Sequence, residues 1–164
     1  MGMFDLIKLL ADAGIDFVLV GGLAVALQGY QRVTIDIDVV LIMEEENLKR
    51  LVAAAKAAGL RPVAPVDIEA LTQPGLLEQS HKEKGMLAFS LFSPDQVTTV
   101  MAILIKPVVP YADLRRAASL VGLGPLRVPV VSIDHLIAMK TGTGRGKDLI
   151  DIEELRKIQA GTRA

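Results

Sequence analysis

The sequence predicts an α+β fold with α/β-like alternation, made of a sheet core over residues 1–130 and a short helical appendage over residues 131–164. Two observations carry this prediction. Apolar residues recur in turn at helical spacing and in short β-branched runs from the start of the chain. The 164 residues also suffice for one domain with a sizeable core, and they contain no repeat, low-complexity tract or long linker. We therefore expect residues 1–164 to form a single domain.

The first elements follow from this periodicity. A helix ending at Gly14 is predicted by apolar residues at helical spacing, namely Phe4, Ile7, Leu10 and Ala11. The β-rich run Phe17–Val20 predicts a buried strand, which Gly21 and Gly22 close. A short helix over residues 23–28 is expected next.

The segments that follow are a strand, a helix and a less regular stretch. Residues 35–43 are rich in β-branched side chains and predict a strand, and residues 47–58 predict an amphipathic helix. Two prolines within residues 61–66 restrict any strand there to a short one or an edge. Residues 67–85 have a helical pattern that Pro74 interrupts.

Two hairpins are predicted in the second half of the chain. Residues 86–92 and 97–105 are apolar, β-rich segments separated by a turn signal, so we expect them to pair. A helix starting at Pro110 precedes a second hairpin over residues 120–131.

The appendage consists of two predicted helices. Ser132 is placed to cap a helix over residues 133–140, and a final amphipathic helix is expected over residues 147–159. Four apolar residues are predicted to form the buried face of that last helix, namely Leu149, Ile152, Leu155 and Ile158.

Composition excludes several functional classes. Lys plus Arg number 18 and Asp plus Glu 19, and this balance argues against coating nucleic acid by bulk charge. The absence of cysteine excludes disulfides, iron–sulfur clusters and cysteine-based zinc sites, and two histidines argue against a histidine-built metal site. The sequence has no signal-peptide pattern and no apolar run near the ~20 residues of a membrane span, which predicts a cytoplasmic protein without membrane contact.

Two carboxylates stand out within an apolar strand. Asp36 and Asp38 are two residues apart, so both side chains point to the same face of a strand. Neighbouring buried carboxylates repel each other and lose hydration, unless they lie at the solvent end of the strand or share a cation. The donor set favours Mg²⁺, which takes oxygen ligands and leaves positions for water and phosphate.

A diglycine turn lies upstream of these carboxylates. Gly21 and Gly22 join a strand to a helix, where a bare backbone turns sharply and allows a ligand to approach the amides. The N-terminus of the following helix offers free N–H groups to phosphate. If the two strands are neighbours, this turn and the two carboxylates form one pocket for a nucleoside triphosphate and Mg²⁺.

Several basic and hydroxyl side chains are further candidates for nucleotide binding. Arg32 and Thr34 either contact phosphate or acceptor, or are a solvated loop arginine and a threonine at the entry to a strand. Lys140 either lies near the pocket or pairs with carboxylates of the last helix. Arg145 and Lys147 either reach a triphosphate or an RNA backbone, or belong to a flexible connection between helices. The stretch 141–147 is not a Walker loop, because its glycine spacing, its following residue and its preceding helix are all wrong.

The string Gly-Gly-Leu-Ala-x-x-x-x-Gly-Tyr-x-Arg-x-Thr-x-Asp-Ile-Asp over residues 21–38 resembles the signature of the polymerase-β-like nucleotidyltransferase superfamily. It is similar to small stand-alone bacterial members related to the AbiEii toxin group. The segment His135-Leu-Ile-x-x-Lys140, followed by Arg145-x-Lys147-Asp148-x-x-Asp151, resembles the closing helices of that group.

This resemblance implies a mixed sheet with flanking helices and transfer of a nucleoside monophosphate from a nucleoside triphosphate to an acceptor. Asp36 and Asp38 would be the catalytic carboxylates that hold Mg²⁺ or Mn²⁺, and Gly21 and Gly22 would receive the phosphates. The acceptor would be a protein, a tRNA end or a small hydroxyl compound. The family pattern also implies a third carboxylate near Ala102, where this sequence has no acid; the nearest, Asp95, lies in the preceding loop.

Two other functions remain open from the sequence. The missing acid favours a catalytically impaired relative that keeps the fold as a nucleotide-binding or partner-binding module. The likeness to the AbiEii group favours one component of a toxin–antitoxin pair, whose partner protein would be encoded by a neighbouring gene. The sequence also leaves a homo-oligomer open.

Overall fold

A computed structural model describes residues 1–161 of the chain as a mixed sheet flanked by helices. Within these residues the sheet has seven strands in the order β3-β4-β5-β2-β1-β7-β6. The strands are β1 (Phe17–Val20), β2 (Ile37–Leu41), β3 (Arg61–Pro62), β4 (Ala88–Ser93), β5 (Gln96–Leu104), β6 (Ser119–Leu123) and β7 (Leu126–Val130).

The helices alternate with these strands along the chain. They are α1 (Met3–Asp12), α2 (Gly21–Leu27), α3 (Glu45–Ala57), α4 (Pro74–Lys84), α5 (Tyr111–Ala117), α6 (Ile133–Lys140) and α7 (Gly146–Gln159), with a 3-10 helix at Ile68–Thr72. None of the helices within residues 1–161 is both long and apolar enough to cross a membrane. The predicted appendage extends to residue 164, and residues 162–164 lie outside the described part of the chain.

The centre of the sheet is where strand directions mix. β1 runs antiparallel to β2 and parallel to β7, while β2 runs parallel to β5. The β4–β5 and β6–β7 hairpins extend the sheet on either side. All four residues of β1 are buried, as expected for a central strand covered on both faces. The predicted mixed α+β fold, including two C-terminal helices, is confirmed.

The starts of helix α2 and strand β2, the two elements that carry the predicted site, differ from the prediction. Helix α2 begins at Gly21 instead of residue 23, because first-turn N–H groups have no intrahelical partner and glycine is tolerated there. Strand β2 begins at Ile37 instead of residue 35, so Asp36 precedes the strand. The Asp36 side chain accepts a hydrogen bond from the Val100 N–H, next to the first backbone pair between Ile37 and Met101.

The buried face of α7 differs from the prediction. Leu149 is 62% exposed, so the prediction that it is buried is wrong. Asp148 and Asp151 are buried instead, together with Ile152 and Leu155. Basic side chains of neighbouring segments pair with both carboxylates, and this pairing compensates the loss of hydration on that face.

Candidate functional site

The diglycine turn and Asp38 are in direct contact. β1 and β2 pair in a register that sets Val20 opposite Asp38, and Gly21 follows Val20 directly. A Cβ atom on Gly21 would lie 2.0 Å from the Asp38 Oδ2 atom, and the φ angle of Gly21 is +69°. Both observations require glycine at position 21. The predicted proximity of the diglycine turn and the Asp38 carboxylate thus corresponds to a direct contact between Gly21 and Asp38.

Asp36 lies next to Asp38 but is engaged by the sheet. Its Oδ1 atom accepts a hydrogen bond of 3.0 Å from the Val100 N–H of β5. Asp36 is exposed, whereas Asp38 is half-buried. One oxygen of Asp36 therefore has a structural partner, and the other remains available to a ligand.

Asp38 is a half-buried carboxylate without a compensating partner. Within residues 1–161 it accepts no hydrogen bond and forms no ion pair. Burial raises the pKa of Asp38, and the neighbouring charge of Asp36 raises it further. The positive charges of Lys140, Lys147 and Arg145 act in the opposite direction, so all three lie within electrostatic reach of Asp38.

Asp38 opens into a cleft of about 280 Å³ between helix α6 and the sheet. Gly21 and Asp38 line its base, and Lys140 and Arg145 line it on the helical side. Ala102 and Leu104 of β5 line it on the sheet side. Four of the predicted site residues therefore line one cleft, namely Gly21, Asp38, Lys140 and Arg145. Lys147 is a fifth residue near this cleft, because its charge lowers the pKa of Asp38.

A buried ion-pair network forms the helical side of this cleft. Lys140 Nζ lies 3.2 Å from Asp148 Oδ1 and 3.0 Å from Asp151 Oδ2. Arg145 Nε donates to Asp148 Oδ2 at 2.7 Å, and Arg32 pairs with Asp151. The two carboxylates of α7 thus fix three of the predicted basic residues, and Lys147 forms no ion pair within residues 1–161.

The electrostatic state of Asp148 is opposite to that of Asp38. Burial alone would raise the pKa of Asp148. Hydrogen bonds from Thr143, Lys140 and Arg145 outweigh that effect, and the pKa of Asp148 is lowered below its ordinary value. Asp148 is therefore an ionised anchor of the network.

Arg32 and Thr34 lie against the second glycine of the turn. A Cβ atom on Gly22 would be 3.3 Å from Thr34 Oγ1 and 3.6 Å from Arg32 Cζ. Because Arg32 also pairs with Asp151, it connects the diglycine turn to helix α7.

The sequence of the chain matches the model of a protein family over most of its length. The nucleotidyltransferase family of unknown function (DUF6036) matches residues 2–159. The chain belongs to this nucleotidyltransferase family. No curated protein matches it at a significant level.

Solved structures of antibiotic nucleotidyltransferases have a similar fold. The lincosamide antibiotic adenylyltransferase LnuA, with lincomycin bound, gives a TM-score of 0.61 at 14% identity, covering 95% of each chain. The antibiotic-resistance factor ANT(2'')-Ia gives 0.56 at 13% identity, covering 96% of this chain and 80% of its own. ANT(2'')-Ia in complex with adenylyl-2''-tobramycin gives 0.53 at 14% identity, covering 96% and 92%. At these identities the likeness shows the fold alone.

The strand next to Asp38 lacks the third carboxylate that the superfamily resemblance implies. β2 and β5 pair in a register that sets Asp38 beside Ala102, and Ala102 also lines the cleft. Asp95 is elsewhere, because it binds the amino group of Met1 at 2.5 Å. Within residues 1–161 no group of three or more His, Cys, Asp or Glu side chains could hold a metal ion.

The two carboxylates nevertheless fit one type of magnesium site in this nucleotidyltransferase. Mg²⁺ in nucleotide sites is commonly held by one or two carboxylates together with substrate phosphates. Among the described residues Asp38 has no partner and one oxygen of Asp36 accepts no hydrogen bond, so the chain supplies that number of protein ligands.

Sequence reasoning missed the structural role of Asp148 and Asp151. The sequence motif includes both residues and offers them as alternative partners for Lys140, but the apolar periodicity of α7 predicts a buried face of Leu and Ile side chains. The signal was present in the spacing, since the two residues are i and i+3 on one helix and follow Lys140 closely.

Proposed function

We propose that this nucleotidyltransferase binds a nucleoside triphosphate with Mg²⁺ in the Asp38 cleft and transfers the nucleoside monophosphate to a hydroxyl acceptor. The observation that carries the proposal is the unpartnered, half-buried Asp38 carboxylate, which contacts Gly21 and lies within reach of three cationic side chains. Carboxylates without compensation are costly, and a bound cation would remove that cost.

Each side chain of the cleft has a distinct task in this proposal. Asp38 and the free oxygen of Asp36 would hold Mg²⁺ or Mn²⁺, which supplies charge stabilisation for the phosphates when bound. Lys147 forms no ion pair within residues 1–161 and its positive charge acts on Asp38, so it is suited to the terminal phosphates. Lys140 and Arg145 are held in position by Asp148 and Asp151 and provide fixed donors.

The proposed transfer is an in-line displacement at the α-phosphorus. The acceptor hydroxyl oxygen forms a bond to the α-phosphorus while the bond to the bridging oxygen of the β-phosphate breaks. Pyrophosphate leaves, and the hydroxyl proton passes to solvent. The products are the nucleotidylated acceptor and pyrophosphate.

Ligand-dependent stabilisation tests the binding part of this proposal. At a concentration of about 100 times Kd, Mg·ATP should add about 2.7 kcal/mol to the free energy of unfolding, which corresponds to a rise in melting temperature of roughly 5–10 °C. Replacing both Asp36 and Asp38 by Ala should abolish the rise. A control with Asp12→Ala and Asp113→Ala, two exposed carboxylates of ordinary ion pairs, should retain it. An equal response in both double variants would contradict the proposed site.

A second candidate function is nucleotide binding without turnover, and the observation that favours it is Ala102 beside Asp38. Incubation with nucleoside triphosphates labelled at the α-phosphate, together with cell extract, separates the two candidates. Label on any acceptor that the Asp36→Ala, Asp38→Ala variant fails to produce supports transfer. Nucleotide binding with no labelled product, and label transfer gained on Ala102→Asp substitution, supports the binding module. The narrower resemblance to the AbiEii toxin group stays a prediction.

A further inference from the structure

The outward face of the β4–β5 hairpin continues the cleft on the side away from α6. Six residues alternate outward on these two strands and pair across them, and we name them the shelf: Ala88, Ser90, Phe92, Val100, Ala102 and Leu104. All six are partly exposed. The residues that alternate with them, Phe89 and Leu91 on β4 and Met101 and Ile103 on β5, are buried. Ala102 pairs with Asp38 on its other side, so the shelf begins directly at the candidate site.

The composition of the shelf is unusual for an outward sheet face. Antiparallel strands with one buried face normally carry polar or charged residues on the other. Here five of the six side chains are apolar and none is charged. Leu87, at the edge of the same cleft, is 71% exposed. A partly exposed apolar surface that adjoins a polar site is typical of a ligand-binding surface.

The charged groups of the cleft all lie elsewhere. Lys140 and Arg145 come from the helical side, and Asp38 is the one carboxylate among the described residues that line the cleft. In an in-line displacement the acceptor enters opposite the leaving group. If the pyrophosphate lies toward the cations, the acceptor enters from the shelf. The two carboxylates at the border of the shelf, Asp36 and Asp38, are the proposed Mg²⁺ ligands, and the six shelf residues themselves offer no carboxylate to a polycationic acceptor.

We propose that the acceptor is a small hydroxyl compound with an uncharged, apolar body that lies on the shelf, with its hydroxyl group directed toward Asp38. This inference rests on the proposed function, since it uses the direction of transfer. The hydroxyl oxygen bonds to the α-phosphorus, pyrophosphate leaves and the proton passes to solvent. The apolar body excludes water from the shelf and positions the hydroxyl.

Methyl NMR of the full chain tests this inference without requiring turnover. Met139 lines the cleft, while Met3 lies in α1 and serves as an internal control. Benzyl alcohol, an uncharged probe whose ring shifts nearby resonances, should move the Met139 methyl signal saturably and leave Met3 unchanged. Kanamycin, an alcohol with several ammonium groups, should leave both signals unchanged. The titrations are repeated with Mg·ATP present, and its binding is recorded by melting temperature.

Matched variants connect the signal to the shelf. Leu104→Glu places a charge on the shelf and should weaken benzyl alcohol binding about tenfold, because the probe loses an apolar contact and a hydrated carboxylate would have to be desolvated. Leu120→Glu, the same change at a half-exposed position of edge strand β6, should leave binding unchanged. Ala88→Glu replaces the first variant if circular dichroism shows that Leu104→Glu does not fold.

The outcomes separate this inference from the proposed function. Kanamycin moving Met139, or benzyl alcohol moving Met3 as much as Met139, would overturn the shelf as an acceptor surface even where Mg·ATP binds. The absence of any probe effect on Met139 would overturn it as well. Stabilisation by Mg·ATP that is missing while benzyl alcohol binds would count against the proposed function and, with it, against an acceptor at this surface.

Discussion

Two regions on opposite sides of one cleft both bury carboxylates, and they treat them differently. On helix α7, Asp148 and Asp151 are almost completely buried and are paired with Lys140, Arg145 and Arg32. On strand β2, Asp38 is half-buried and has no partner within residues 1–161. The comparison shows that carboxylates of similar chemistry can be buried with or without a compensating charge. Removing a buried carboxylate whose charge is compensated leaves its partners unpaired and destabilises the fold, whereas an uncompensated carboxylate is available to a ligand.

The largest expected effect comes from removing a compensated carboxylate. Asp151→Ala leaves Lys140 and Arg32 without one of their partners, and breaking such a buried pair costs about 3–5 kcal/mol in the free energy of unfolding. Urea denaturation measures the loss. Asp113→Ala, which breaks an exposed pair with Arg116, should cost about 0–1 kcal/mol. Similar losses in the two variants would show that the network is not a structural anchor.

The next effect concerns the contact that Asp38 does make. Gly21→Ala introduces a Cβ atom 2.0 Å from Asp38 Oδ2 on a backbone with φ of +69°. Gly14→Ala is a matched control, because Gly14 has φ of +67° and open space around its Cβ position. The control should lose about 1–2 kcal/mol from backbone strain alone. Gly21→Ala should lose more in the same denaturation experiment and should also weaken Mg·ATP stabilisation; equal losses would mean that Asp38 moves aside without cost.

The uncompensated carboxylate should behave in the opposite way to Asp151. Asp38→Asn removes a charge that is half-buried beside Asp36, so the apo protein should gain on the order of 1 kcal/mol near neutral pH. The same variant should lose its response to Mg·ATP. This combination of higher stability and lost binding is measured by melting with and without nucleotide, and a destabilised variant would place Asp38 among the structural residues.

The smallest expected effect is in the dependence of the free energy of unfolding on pH. Near neutral pH the charge of Asp148 stabilises the folded state, whereas the charge of Asp38 destabilises it. The lowered pKa of Asp148 contributes stability that is present above the unfolded-state pKa of about 3.9 and is lost as pH falls. The stability advantage of the wild type over Asp148→Asn should therefore shrink on acidification.

The pH dependence for Asp38 has the opposite starting point. Its raised pKa disfavours folding at neutral pH and ceases to do so as the group protonates, so the stability advantage of Asp38→Asn over the wild type should also shrink on acidification. Denaturation at a series of pH values measures both differences, and parallel curves for either pair would contradict its assigned charge state.

Local patterns were sufficient to predict much of the fold. β1 was predicted at its observed bounds because it is a short apolar run between turn residues, and α6 because Ser132 caps it. The start of β2 was missed because Asp36, just before the strand, accepts a hydrogen bond from the Val100 N–H of β5. This contact joins residues far apart in the sequence, so no local pattern indicates it. The exposed side of α7 was missed because ion pairs with Arg32 and Lys140 outweigh the apolar periodicity.

The candidate site was predictable as a set of residues but not as a geometry. The spacing of Gly21, Gly22, Asp36 and Asp38 was enough to place them together if β1 and β2 were neighbours, and they are. The sequence left open whether three basic residues from the end of the chain approach Asp38 or belong to the last helices and the connection between them, because no local pattern decides this. Their arrangement depends on how α6 and α7 pack, and no spacing rule specifies that packing.

The Asp36 side chain combines a structural contact with a free ligand atom, because only one of its two oxygens accepts the hydrogen bond from Val100. The carboxylate forms the last rung between two parallel strands, at the point where the backbone itself stops pairing. An ion drawn to the remaining oxygen would therefore be fastened to β5 as well as to β2, although β5 contributes no ligand of its own. Any motion that separated β2 from β5 at this end would also displace the Asp36 carboxylate from the ion. The pairing of the two strands and the affinity for the ion are therefore coupled.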